Sequence, residues 1–327
     1  MSAPLGITMG DPAGIGPEII AKAVAESGGR AVVIGDVGIM ERAVKLLGLS
    51  LRVKAVREPG EADFEAGTVE VVPATELPDD LGFGKLDARA GDAAFKYVER
   101  AIELALARSI SAVVTAPLNK EAMHLGGHGY PGHTEILAEL TGTKDYAMML
   151  VAEKLRVIHV STHVSIKEAV ERVAPERELA VIRLARDSMR RIGIEDPRIA
   201  VAGLNPHAGE NGLFGDEDKE RIAPAVEEAR GEGMDVSGPW PPDTVFSKAV
   251  RGEFDIVVVQ YHDQGHIPIK LLGFETGVNV TVGLPFFRTS VDHGTAFDIA
   301  GTGKAEHSSI KAALKLAREL AEEGSDR

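Results

Sequence analysis

Two histidines, an aspartate and a lysine crowd the stretch YHDQGHIPIK at 261–270, directly after the apolar run IVVVQ. The arrangement recurs along the chain. RVIHV (156–160) runs into STHVS, and IAVAGL (199–204) runs into NPHAGENG. His163, His207 and His262 thus each lie two to four residues past a short apolar run. Three neutral imidazoles offered from three loops form the donor set of a catalytic divalent-metal site, which keeps one position open for substrate or water. Taken singly, each reads first as a hydrogen-bonding loop residue, and their convergence is for the fold to decide. No H-E-x-x-H pattern occurs, which argues against a metalloprotease. Asp243 in PWPPDTVF and Asp263 offer carboxylates for proton transfer, or serve as caps and turn residues.

A second group has anion chemistry. His133 and Thr134 open TEILAEL (134–140), where a helix N-terminus can hold an anion or Thr134 can cap the helix. Lys270, Asn279 and Arg288 follow at nine-residue spacing around a Gly-rich strand. In an acidic chain, such a Lys and Arg suggest a carboxylate or phosphate pocket, although each alone is an ordinary surface residue. GDPAGIGPEII places glycines before a helix start, yet it matches neither G-x-x-x-x-G-K-[ST] nor G-x-G-x-x-G. The string GHGYPG (127–132) fits the latter literally, but it contains Pro131 and follows no clear strand, so it reads as a turn-rich loop.

The elements that must position these groups are those of a large soluble protein. With 327 residues, 44% hydrophobic and 26% charged, two lobes are expected. Lys and Arg total 36 against 50 Asp and Glu, a net charge of -14, which disfavours binding to a nucleic-acid backbone. Cysteine is absent, excluding disulfides, thiolate nucleophiles and Cys-type zinc sites. The start MSAPLGITMGDPAG lacks a basic n-region and an apolar core, and no apolar run is long enough to span a bilayer. A cytoplasmic protein without a membrane partner is the expectation.

Strands are expected at LGITM, AVVIG, AVVTA, AMMLVA, RVIHV, RIAVAGL and FDIVVVQ. Helices are expected at 17–27, 87–109, 175–193, 216–233 and 308–324. Strand–helix alternation with continuous apolar runs predicts an α/β fold of mainly parallel sheets flanked by helices. With no flexible linker, the two lobes must be joined by crossing elements, which favours a cleft between them.

The motifs ITMGDPAGIGPEI, TAPLNK, GHTE, THV, GLNPHAGENG, PPDT, YHDQG and GVNVTVGLPFFRTSVDHGTAFDIAG resemble the 4-hydroxythreonine-4-phosphate dehydrogenase family. The likeness runs from Ile7 to about Leu314. DHGTAFDIAGTGKA (292–305) is also similar to the loop that wraps the cofactor's adenosine in isocitrate and isopropylmalate dehydrogenases, which use no Rossmann fingerprint.

The resemblance implies a two-lobed, isopropylmalate dehydrogenase-like fold with the active site in the cleft. The first lobe would be residues 1–130 plus 275–327, on the cofactor side. The second would be 131–274, holding the metal and the dimer contact. It implies His163, His207 and His262 as ligands of one divalent ion (Zn, Mg, Mn, Co or Ni). His133, Thr134, Lys270, Asn279 and Arg288 become substrate contacts. Asp292, His293, Gly294 and Thr295 become contacts of NAD, or of NADP. Asp243, Asp263 or Lys270 would accept the proton. It further implies a homodimer whose active site is shared between subunits.

The reaction implied is oxidation and decarboxylation of a 4-phosphorylated four-carbon hydroxy acid, most simply 4-phosphohydroxy-L-threonine in pyridoxal phosphate biosynthesis. The family's B6-synthesising members commonly carry Leu-Pro after YHDQG, where this chain has His266-Ile267-Pro268. That form is closer to a branch acting on D-threonate or D-erythronate 4-phosphate and giving dihydroxyacetone phosphate and CO2. A dihydrodiol dehydrogenase and a phosphate acyltransferase-like enzyme are the remaining alternatives.

Overall fold

A computed structural model describes residues 3–273 and 277–325 of the chain. They divide into two compact units. One comprises the residues up to Lys144 together with Leu284–Ser325, the other Asp145–Gly283.

The first unit contains β1 (Leu5–Thr8), α1 (Gly16–Ser27), β2 (Ala31–Gly35), α2 (Val37–Leu46), β3 (Arg52–Ala55), β4 (Thr68–Pro73), α3 (Ala88–Leu106), β5 (Ala112–Thr115), α4 (Lys120–Leu125) and α5 (His133–Thr141). Later in the chain it is completed by β12 (Phe287–Ser290) and α11 (Ser308–Ser325). Its strands lie in the order β3-β4-β2-β1-β5-β12, and every pairing is parallel. Every residue of β1, β5 and β12 is buried, as in a sheet covered by helices on both faces. α3 buries Ala90, Ala94, Val98, Ala101 and Ala105 along one stripe at three- and four-residue spacing. Gly91 lets it approach α4 closely, since a Cβ there would lie 1.9 Å from the Ala122 carbonyl oxygen. α5 also packs on α3. The first segment therefore extends to Lys144, past residue 130 where the sequence reading divided the chain.

The second unit contains β6 (Ala147–Ala152), β7 (Leu155–His159), α6 (Ile166–Arg172), α7 (Pro175–Arg191), β8 (Ile199–Ala202), α8 (Ala223–Gly231), β9 (Val236–Trp240), α9 (Val245–Val250), β10 (Ile256–Val259), α10 (His262–Gly273) and β11 (Val278–Val282). Its order is β11-β6-β7-β10-β8-β9. β6 and β7 form an antiparallel hairpin, β11 adds antiparallel to β6, and the remaining pairings are parallel. Leu150, Leu155, Val157, Val257, Val259 and Ile269 form its core. Among the described residues no helix is long and apolar enough to cross a membrane.

Candidate active site

In the second unit the parallel strands β7, β8 and β10 each lead, within five residues, to one of the three histidines. Ligands of open α/β sheets bind beyond such carboxyl ends. His163 and His262 come together, their ring centroids 5.6 Å apart. Both line a cavity of about 650 Å³, shared with Thr162, Ser165, Glu168 and Asp263. His262 opens α10, and its Nδ1–H donates to Asp263 Oδ1 at 2.7 Å, which leaves Nε2 with its lone pair.

His207 is placed differently. It begins five successive left-handed residues, His207 to Asn211, and its ring lies 6.2 Å from that of Phe214. Among the described residues of one chain, no group of three or more His, Asp or Glu stands together as metal donors. Two imidazoles with one carboxylate-oriented tautomer are the donor chemistry that a divalent ion takes. Among the described residues of one chain, His163 and His262 stand together without a third such group beside them.

Of the other expected residues here, Asp243 is exposed in the turn before α9, and Lys270 is exposed on α10. Asn279 is half-buried on β11, its Oδ1 buried without a donor. His266 is 6% exposed and stacks on His262 with centroids 3.5 Å apart and ring planes 12° from parallel. Its Nδ1–H donates to the His262 carbonyl at 2.9 Å, so it braces that ring from behind. Beyond it lies His159, its ring centroid 5.0 Å from that of His266. Sequence reading missed His159, whose place inside RVIHV gave no sign of a role. Burial pushes its pKa down to about 3, and its Nε2 has no partner.

In the first unit Arg288, His133 and Lys120 are neighbours. Arg288 on β12 is 3% exposed, and its Nε and Nη2 donate to Thr115 Oγ1 at 3.1 and 2.7 Å. Burial lowers the Arg288 pKa to about 9, so the guanidinium is charged at neutral pH. His133 stands at the N-terminus of α5. Burial, reinforced by the positive charges of Arg288 and Lys120, pushes its pKa well below the usual range. Its Nε2 is buried and unpartnered. A buried guanidinium, a neutral imidazole, an ammonium and a helix N-terminus together favour an incoming anion. Sequence reading found His133, Thr134 and Arg288 but not Thr115 or Lys120. Both fall in TAPLNK, where Thr115 reads as an ordinary strand residue.

Asp292, His293 and Gly294 are exposed after β12, while Thr295 is buried. The Thr295 carbonyl accepts the Ile15 N–H at 3.1 Å, tying this loop to the glycine-rich loop after β1. Glu18 on α1 accepts the Gly301 and Gly303 N–H groups at 2.6 and 2.9 Å, and Lys22 donates to the Gly303 and Ala305 carbonyls at 2.7 Å each. Nothing lies within 4 Å of a Cβ placed at Gly294. Asp11, unremarked in the sequence, is fully buried after β1. Its Oδ1 accepts the Ala13 N–H at 2.8 Å and its Oδ2 has no donor.

Known proteins match over nearly the whole length. The profile of the pyridoxal phosphate biosynthetic protein PdxA family covers residues 28–317. A D-threonate 4-phosphate dehydrogenase from Cupriavidus necator is 55% identical over 97% of both chains. One of the same name from Salmonella typhimurium is 54% identical over 97% of this chain and 98% of its own. A crystal structure of 4-hydroxythreonine-4-phosphate dehydrogenase from Klebsiella pneumoniae superposes with a TM-score of 0.94 at 52% identity, covering 98% of this chain and 100% of that one. The chain belongs to the PdxA family and is an oxidoreductase.

Proposed function

We propose that the protein oxidises and decarboxylates a four-carbon hydroxy acid phosphorylated at C4, with NAD as hydride acceptor and a divalent metal ion, and that D-threonate 4-phosphate is its substrate. The observation that carries this reading is the buried Arg288 guanidinium beside His133 and Lys120, which gathers positive charge and an imidazole at the N-terminus of α5. The substrate's phosphate is that anion. The C. necator and S. typhimurium relatives support D-threonate 4-phosphate. The name of the K. pneumoniae structure supports 4-phosphohydroxy-L-threonine as the second reading, and with it a place in pyridoxal phosphate biosynthesis.

The residues divide the work. Arg288, His133, Thr134 and Lys120 bind the phosphate and thereby fix the carbon chain. Lys270 and Asn279 contact the rest of the substrate. Asp263 holds His262 in the tautomer whose Nε2 can coordinate, and Asp243 or Lys270 takes the proton of the oxidised hydroxyl. His163, His207 and His262 would hold the metal ion, completed across a homodimer, since among the described residues of one chain no three such groups stand together. Ile166, Ile267 and Leu271, exposed in the second unit, are apolar surface for that contact. Asp292 to Thr295 would contact the nicotinamide cofactor. When bound, NAD supplies the hydride acceptor, and the metal supplies positive charge for the substrate oxygen and for the electrons freed as CO2 leaves. A cytoplasmic setting fits this chemistry.

The test is a panel of D-threonate 4-phosphate, D-erythronate 4-phosphate, 4-phosphohydroxy-L-threonine and a cis-dihydrodiol, each with NAD and with NADP. The proposal expects the highest kcat/KM for D-threonate 4-phosphate. Preference for the amino compound would move the protein to the second reading, and preference for the dihydrodiol would overturn both.

A further inference from the structure

Glu178 stands in the first turn of α7 yet is fully buried, and neither of its carboxyl oxygens receives a hydrogen bond. It lies within hydrogen-bonding reach of the Gln260 side chain, just past β10. The orientation of Gln260 is fixed, because its Nε2 donates to the Ala202 carbonyl at 2.8 Å. Its Oε1 is then the atom left without a donor. Acceptors facing one another in a dry interior need a proton between them. One proton on the Glu178 carboxyl satisfies both partners.

Gln260 is also where three segments are joined. Its carbonyl accepts from Ser161 Oγ at 2.8 Å, two residues before His163. Its N–H donates to Gln264 Oε1 at 2.7 Å, in the segment that contains His262. Gln264 Nε2 donates to the Gly203 carbonyl at 2.7 Å, on the strand end leading to His207.

We propose that Glu178 is held as a neutral carboxylic acid, donates its proton to Gln260 Oε1, and is a positioning residue for the segments bearing His163, His207 and His262. The surrounding charges agree. Arg177, next to it on α7, spends its guanidinium on the Val160 and Tyr146 carbonyls. Asp218, from the turn before α8, accepts the Leu204 and Asn205 N–H groups and repels a second negative charge. β8 and β10, which also pack on α7, contain no titratable side chain. On β7, Arg156 turns to the Asp255 carbonyl and His159 to that of Met148. On α8, Arg230 pairs with Glu227. Burial outweighs Gln260 and Arg177 and pushes the carboxyl up to about 8.

The positioning half of this inference rests on the proposed role of the histidines; the protonation half does not. Infrared difference spectra of wild type against Glu178→Gln test the latter. A protonated-carboxyl C=O band at neutral pH, absent from the variant and lost above about pH 8, is expected. Absence of such a band overturns the proposal. For positioning, Glu178→Gln should keep wild-type turnover and lose the alkaline fall in its pH profile. Glu178→Leu should lose about 10- to 100-fold in kcat, as partners of metal-ligating residues do. A glutamine variant as impaired as the leucine variant overturns the donor role. A wild-type protein with no metal-dependent turnover overturns the functional reading instead, and leaves the infrared band to decide the state of Glu178.

Discussion

Arg288 and Thr115 are joined twice: two guanidinium nitrogens donate to Thr115 Oγ1, at 3.1 and 2.7 Å. This contact orients the guanidinium through a neutral partner. Replacing Arg288 with Lys keeps a charge but loses the planar fork. Loss of a charged hydrogen bond worth ~1.5–3 kcal/mol corresponds to a rise in KM of roughly 10- to 100-fold for a phosphorylated substrate, with kcat less affected. Steady-state kinetics check this, with circular dichroism confirming that the variant is folded. An unchanged KM would remove Arg288 from phosphate binding.

His163 and His262, 5.6 Å apart, are expected to act as a pair. His163→Ala and His262→Ala should each lose turnover together with bound metal, measured by elemental analysis after purification and by titration with a divalent ion. His207→Ala should do the same, and its deficit should persist at saturating metal. Near-wild-type rates in metal-saturated buffer would contradict the assignment. Prolonged dialysis against a chelator should likewise abolish wild-type turnover, and added metal should restore it.

Asp11 makes stability depend on pH. Burial, only partly offset by the Ala13 N–H and assisted by Asp87, raises its pKa from 3.8 to about 6. The folded state therefore binds this proton more tightly than the unfolded state. The stability it contributes is present in full below about 3.8 and is lost as pH rises through about 6. Asp11→Asn keeps an acceptor for Ala13 and removes the ionisation. Above pH 6 it should be more stable than wild type by about 3 kcal/mol at most, from a shift of about two units. The advantage should vanish in acid. Urea midpoints across the range measure it, and a difference independent of pH would contradict the account.

Gly265 is where α10 passes the buried ring of His159. A Cβ there would lie 2.5 Å from His159 Nε2 and 2.9 Å from Val259 Cγ2. Neither group has room to yield, so Gly265→Ala should destabilise the second unit by roughly 1–3 kcal/mol. A lowered denaturation midpoint checks this, and an unchanged one would show that His159 can move.

Strands β1, β2, β5, β6, β7, β8 and β10 were legible in the sequence because burial on both faces writes apolar runs such as AVVIG (β2) and AMMLVA (β6). By contrast β4, TVEVVP, and the central β12, FRTS, interrupt theirs with polar residues and were not expected. β3, with sequence RVKA and no fully buried residue, and β9, with Gly238 and Pro239 in VSGPW, carry no such signal. The expected helix at 216–233 is regular only from Ala223, preceded by a wider turn over Asp218–Ile222; Pro224 lacks the N–H that a regular turn would use there. The histidines were legible as residues at strand ends, but their pairing was not, since it depends on how far each loop travels. His207 sits in a left-handed run that no spacing rule describes. Glu178 read as an ordinary acidic residue of a helix's first turn, and only its burial sets it apart.

One measurement bears most directly on the proposed reaction. Carboxyl-labelled D-threonate 4-phosphate, incubated with the protein, NAD and a divalent ion, should give NADH and labelled CO2 in equal amounts, with dihydroxyacetone phosphate as the other product. D-threonate without its phosphate should give neither at a comparable rate. Equal turnover of the unphosphorylated acid, or NADH formed without release of label, would contradict the account.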